Sequence, residues 1–210
     1  MKAFLILNRK SRNKGFTLIE MIGVLAVIAI LASLLIPKIY EAINNSRVSN
    51  AAVSYNTVKT ALADHFAKFG SLLSSNGAPI GFAVPGSTNF DLTLLAEGFL
   101  DKPFQVKIGD SGTHVEIVQA GQTSDGISAN NSSYDLDGSG ITPNDTAGSS
   151  VVQAVITGVT LGDAFALSTL IDGPSLSAAN SSIGSNDLLG RVKYSAAAAT
   201  TTVYIYVTHR

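Results

Sequence analysis

The stretch Asn13–Glu20, NKGFTLIE, leads into the one long apolar run of the chain, and the fold turns on how that run is read. From Phe16 to Ile36 the sequence is FTLIEMIGVLAVIAILASLLI, with Glu20 as its single charge. The run is close to the roughly 20 residues that a helix needs to cross a hydrocarbon core about 30 Å thick. A carboxylate inside such a span is expensive and rare, and where one occurs it usually has a function.

Outward from this stretch, charge is placed unevenly. Lys2, Arg9, Lys10, Arg12 and Lys14 all precede Gly15, and no acidic residue does. Removing these five cations from the formal charge of −1 leaves −6 on the remainder. A basic flank before an apolar span predicts that this end stays cytoplasmic while the polar body is translocated. The acidic body argues against a specific nucleic-acid partner, since backbone binding needs clustered Lys and Arg. There is no cysteine, which excludes a disulfide, a thiolate metal site and a Cys nucleophile.

Two plain readings of residues 1–36 are a secretory signal peptide and a one-span anchor. The apolar run exceeds the ~7–15 residues of a signal core, and the basic segment before it is long. No small-residue cleavage site closes the run, because Leu34-Leu35-Ile36-Pro37-Lys38 is too bulky. A simple anchor accommodates these points and leaves Glu20 without a role.

Helical periodicity continues past the apolar run. Val48, Ala51, Ala52, Tyr55, Val58, Leu62, Phe66 and Phe69 recur at three- and four-residue steps, which marks one apolar stripe. Asn50, Asn56, Lys59, Asp64 and Lys68 fall mostly on other faces, and His65 reads as near the polar side. Gly70 supplies a stop. A helix over residues 16–69 would be about 80 Å long at ~1.5 Å per residue. Pro37 removes a backbone donor and crowds the carbonyl of Ser33, so a kink or local break is expected there.

After Gly70 the composition turns to Gly, Ser, Asn, Thr and Asp with short apolar runs. Gly81–Val84, Phe104–Ile108, His114–Val118, Val151–Ile156 and Thr201–Val207 read as strands or strand edges. Asp91–Leu100, with Leu92, Leu94, Leu95 and Phe99 on its apolar face, and Leu161–Leu170 read as short helices. Gly121–Ser150 and Ile171–Gly190 read as loops. The expected fold class is α+β: a long N-terminal helix, membrane-spanning in its first half and amphipathic in its second, packed against a small antiparallel sheet with long loops.

The quoted residues now match a pattern. Lys14-Gly15-Phe16-Thr17-Leu18-Ile19-Glu20, with a basic leader before it, an apolar helix after it and Pro37 at its far end, resembles the class III signal of type IV pilins and pseudopilins. The resemblance covers roughly residues 9–40, and beyond them it is architectural. It implies that a prepilin peptidase cuts between Gly15 and Phe16 and N-methylates Phe16. Gly15 places no side chain against the scissile bond. Cutting exposes a cationic amine on Phe16, and in a helical filament the Glu20 carboxylate of one subunit can meet the amine of its neighbour. Two groups too costly to bury alone become tolerable as a pair, and losing one leaves the other uncompensated. In such families the stretch at Pro37 can melt on assembly; here the sequence permits melting and is equally compatible with a static kink.

The chain departs from many type IV pilins in lacking a disulfide loop. Major pseudopilins commonly hold the equivalent loop with calcium, and one segment here imitates a calcium loop. Asp135, Asp137 and Ser139 offer side-chain oxygens at alternate positions with Gly140 in sixth place, and the Ile141 carbonyl is a fourth candidate ligand. Thr146 stands where an EF-hand needs Glu, Pro143 takes the ninth position, and a solvated acidic turn is the plainer reading.

Nothing in the sequence resembles an active site. His65, His114 and His209 are scattered, and no serine sits in a nucleophile-elbow pattern. The expected organisation is a leader over residues 1–15, a long helix over 16–69 whose 16–36 portion spans the membrane or builds a filament core, and a β-rich head over 70–210. The expected function is a major pilin of a type IV pilus. Its partners would be copies of itself in a helical filament, a prepilin peptidase, an inner-membrane assembly platform and, before assembly, membrane lipid. It would reside in the inner membrane as precursor and in an extracellular pilus, or a periplasmic pseudopilus, after assembly. The alternatives are a pseudopilin of type II secretion, a minor pilin for adhesion or DNA uptake, and a membrane-tethered binding module or enzyme.

Overall fold

Helix α1 runs from Leu18 to Phe69 and changes character along its length. The computed structural model describes residues 15–70, 89–119, 127, 132–139, 150–177, 186–196 and 198–209. The chain divides between Ala42 and Ile43 into two units, each described by itself.

In the first unit every residue from 15 to 42 is exposed, including large apolar side chains such as Leu18, Leu25, Leu34 and Leu35. A helix that is apolar all round and uncovered matches lipid or other helices, not water. The break expected at Pro37 does not occur, and α1 stays helical through it. Proline deletes one donor, and the neighbouring bonds of the ladder hold the turn. The Ser33 hydroxyl donates to the Ile30 carbonyl at 2.8 Å, so this side chain meets its own polar need inside the helix.

In the second unit the same helix is amphipathic. Val48, Ala51, Tyr55, Val58, Ala61, Leu62 and His65 are buried in steps of three and four residues. Full burial of such an aliphatic or aromatic side chain contributes roughly 1.5–3 kcal/mol. Gly70 ends the helix with φ +67°, and its N–H donates to Phe66 O at 2.8 Å. The left-handed region costs glycine little, which makes it the natural stop.

The stripe lies against an antiparallel sheet built from β1 (His114–Gln119), β2 (Ser150–Thr160), β3 (Val192–Tyr194) and β4 (Thr200–His209), in the order β1-β2-β4-β3. Side chains alternate faces along a strand. Val115 and Ile117, Val152, Ala154 and Ile156, and Val203, Ile205 and Val207 therefore share the core with α1. On the opposite face Tyr134 and Leu136 cover Val118, Val151 and Tyr206. This cover explains why β2 is apolar on both faces. Two polar side chains on that face join across strands: Tyr134 donates to Gln153 Oε1 at 2.7 Å, and Gln153 Nε2 donates to Glu116 Oε1 at 2.7 Å.

Helices α2 (Phe90–Ala96) and α3 (Leu161–Asp172) complete the unit. Thr160 caps α3 by accepting the Asp163 N–H. The register of β2 on β4 shifts between Ile156 and Val159, where Gly158 takes φ +68°. A left-handed glycine at a bulge lets the strand bend without steric cost.

Several sequence expectations are corrected. Phe104–Ile108 is not a strand: the Phe104 N–H donates to Asp91 Oδ2 at 2.9 Å, and the Ser54 hydroxyl donates to the Gln105 carbonyl at 3.3 Å. Side chains serve these backbone groups, so no strand partner is needed. Leu92, assigned to the apolar face of the short helix, is exposed, while Asp91 beside it is buried. His65 is fully buried, not on a polar face. Its Nδ1 meets Glu97 Oε2 at 2.7 Å, and its ring lies among Phe69, Phe90 and Phe99. Phe66 stays at the surface instead. Ser133, Tyr134 and Asp135 are buried, so this part of the expected surface loop is a strap over the sheet. The Ile171–Gly190 segment likewise holds a buried Asp187, and β3 was not expected. The expected strand Gly81–Val84, most of the first expected loop and residues 178–185 of the second lie outside the described residues.

Two buried carboxylates yield predictions. Asp91 accepts N–H bonds from Phe104 at 2.9 Å and Val115 at 3.3 Å. Asp91→Ala strands both donors and is expected to lower stability by about 1–3 kcal/mol per donor left unpaired, read from urea denaturation. Asp172 accepts the Arg191 and Val192 N–H groups, each at 2.8 Å. Burial pushes its carboxyl up from 3.8 to about 6, against the pull of these donors and of the Arg191 charge. A carboxyl raised on folding favours the folded state when protonated. That contribution is complete below about pH 3.8 and is lost as pH rises through about 6. The stability of the wild type relative to Asp172→Asn is therefore expected to fall between pH 4 and 6, measured by denaturation of both proteins at each pH. A difference that is flat with pH would refute it.

Candidate functional site

The site is the start of α1. Gly15, Phe16 and Thr17 precede the helix, and Phe16 is 81% exposed. A Cβ placed on Gly15 would meet nothing within 4 Å, so the backbone between Gly15 and Phe16 is open on that side.

Glu20 does not stand alone. The Thr17 N–H and the Thr17 hydroxyl each donate to Glu20 Oε2 at 2.8 Å, and the Glu20 N–H donates to Thr17 Oγ1 at 3.3 Å. This reciprocal pair is a capping box, in which the residue before the helix and the third helical residue satisfy each other's amides. The Met21 N–H then donates to Thr17 O at 3.2 Å, closing the first turn. The carboxylate also sits where the helix dipole favours negative charge.

Thr17 was not singled out as a functional residue from the sequence, although the signal was present. Thr17-Leu18-Ile19-Glu20 is a Thr-x-x-Glu ahead of an apolar run, the capping-box signature. Downstream, Pro37 lies within α1, and Lys38 and Glu41 pair at 3.0 Å with both side chains largely exposed. Charge returns where the apolar run ends. By length and composition this part of α1 can cross a membrane.

The acidic turn is a separate place. The Ser139 N–H donates to Asp135 Oδ1 at 3.1 Å and to Asp137 Oδ1 at 3.0 Å, and Gly138 has φ +73°. Asp135 is fully buried, and its carbonyl accepts the Gly190 N–H at 2.7 Å. Ile141 lies outside the described residues. The described donors are two carboxylates and the Ser139 hydroxyl, against the 6–8 oxygens that calcium takes. Among the described residues no group of three or more His, Cys, Asp or Glu gathers to hold a metal.

The three histidines stand apart. His65 pairs with Glu97 in the core, and the His114 Nδ1–H donates to Gly112 O at 2.7 Å. His209 bonds to the Tyr206 hydroxyl. The Glu116 carboxylate, at 3.6 Å from Nε2, holds the His114 imidazolium above its ordinary pKa.

Comparison with known proteins agrees with the geometry of the N-terminal stretch. A family model, the prokaryotic N-terminal methylation motif, matches residues 10–36. Two curated relatives, both named fimbrial protein and both from Pseudomonas aeruginosa, are each 32% identical over 110 residues. Each alignment covers 50% of this chain and 66% of the relative, so the chain spans just under two thirds of their length. No solved structure matches. The chain thus carries the prokaryotic N-terminal methylation motif, and its similarity to fimbrial proteins and its uncovered apolar helix are consistent with a type IV pilin.

Proposed function

We propose that the chain is the major structural subunit of a type IV pilus. In this reading a prepilin peptidase removes residues 1–15 and methylates the new amino terminus at Phe16. The mature helix then rests in the inner membrane until an assembly platform draws it into a filament of identical subunits. The head over residues 70–210 would form the outer surface.

The observation that carries the proposal is the exposure of α1 over residues 15–42, in a chain whose second unit has a buried core of its own. Large apolar side chains left uncovered all round this part of the helix need lipid first and other helices afterwards. Glu20 is the only charge within Phe16–Ile36. In the membrane its capping box gives the carboxylate two donors, and in the filament a neighbouring Phe16 amine supplies the opposite charge.

The test is mass spectrometry of filaments sheared from producing cells. Abundant chain beginning at N-methylated Phe16 is the expected result. The same processed chain found only in the cell envelope would instead indicate a pseudopilin, and a trace amount within filaments of another subunit a minor pilin. A chain that retains residues 1–15 would leave a membrane-tethered module. Replacing the carboxylate by an apolar group of similar size, Glu20→Leu, is expected to leave cleavage and membrane residence intact while filaments become scarce or absent. Unchanged piliation would remove the assembly role of Glu20.

A further inference from the structure

Both hydrogen bonds that the Glu20 carboxylate accepts fall on one of its oxygens. The Thr17 N–H and hydroxyl both point to Oε2 at 2.8 Å, and among the described residues nothing donates to Oε1. A carboxylate offers about four lone-pair directions, so acceptor capacity remains on the second oxygen.

We infer that Thr17 is a positioning residue for filament assembly: it clamps Glu20 through Oε2 and thereby leaves Oε1 as the acceptor for the α-amine of a neighbouring subunit's Phe16. The inference rests on the assembly function proposed above. Three physical points support it. Leader removal breaks the Gly15–Phe16 bond and leaves the Phe16–Thr17 peptide bond whole, so both Thr17 donors survive processing unchanged. Hydrogen bonds to an ionised acceptor are the strong ones, and a low-dielectric surrounding strengthens them, so the clamp tightens in lipid. The clamp also fixes a side chain that would otherwise sample several rotamers, and ordering it beforehand lowers the cost of meeting the incoming amine.

One residue can thus be tolerated in the membrane and still recruit a partner. The donors on Oε2 reduce the cost of burying the charge without neutralising it. The net charge stays available to an ammonium group on the other side.

Thr17→Val removes the hydroxyl and keeps both shape and backbone N–H, whereas Thr17→Ser keeps the hydroxyl. The full-length precursors, wild type and both variants, are produced in piliated cells. For each, cleavage is read by mass, membrane-resident subunit by fractionation, and sheared filament by quantitative blotting. Cleavage and membrane residence are expected to match wild type in both variants. Filament yield of Thr17→Val is expected to fall about fivefold or more, the equilibrium factor that loss of one helix-capping hydrogen bond carries. Thr17→Ser restores it. In an Glu20→Gln background Thr17→Val is expected to cause no further loss, because the two residues act as one unit.

Full filament yield from Thr17→Val overturns the inference, as does a Thr17→Ser variant that fails equally. A Thr17→Val chain left uncut overturns it too, since the residue would then serve peptidase recognition. If wild-type chain never enters filaments, the assembly function itself falls and the inference falls with it, an outcome separable from the others by the wild-type lane alone.

Discussion

A single helix that meets two surroundings must obey two sequence rules, and the rest of the molecule follows from where the rule changes. Up to about residue 36 α1 is apolar on every face except at Glu20, and it is exposed through residue 42. From Val48 onward only one stripe is apolar, and that stripe is buried. Among the described residues after Gly70, the sheet together with α2 and the residues that follow it covers those seven buried positions. The sheet in turn needs cover on its second face, which Tyr134 and Leu136 supply over Val118, Val151 and Tyr206.

The long periodic elements were legible because their signals are repeated. Three- and four-residue spacing over more than twenty residues defined the second half of α1, and runs of β-branched and aromatic residues defined β1, β2 and β4. The failures were places where a single side chain decides the outcome. Phe104–Ile108 alternates as a strand would, yet the Asp91 carboxylate captures the Phe104 N–H. His65 looked polar by type, yet its place in the stripe and its contact with Glu97 let the core accept it. Strand β3 has three residues with Lys193 in the middle, too short for any periodicity to register. At the candidate site the reverse held. The motif around Glu20 was plain in sequence, and what it concealed was that Thr17 already occupies half of the carboxylate.

With no cysteine to staple the irregular segments, the head uses buried polar side chains as ties. Asp91 holds the segment at Phe104 to the edge of β1, and Asp172 holds the entry to β3. Asp187 accepts the Ser168 hydroxyl at 2.6 Å, joining α3 to the chain before β3. The Lys193 ammonium donates to Ser133 O at 2.7 Å and lies 4.2 Å from the centre of the Tyr134 ring, fastening the strap to the sheet. Each tie satisfies groups that would otherwise be buried unpaired, which makes it costly to remove and specific in where it holds the chain.

The hydroxyl of Tyr55 donates to the carbonyl of Tyr206 at 2.8 Å, a buried bond between residues 151 positions apart. Helix α1 is the first of the described elements to be synthesised, and β4, which closes this contact, is the last. This tie between helix and sheet therefore cannot form until the last of the described strands has been made. A contact of such long range adds to the contact order of the fold, and a high contact order slows folding more than it lowers stability. Until β4 is made, Val203, Ile205 and Val207 are missing from the core around the α1 stripe, so the native packing of the head is completed by its last described strand.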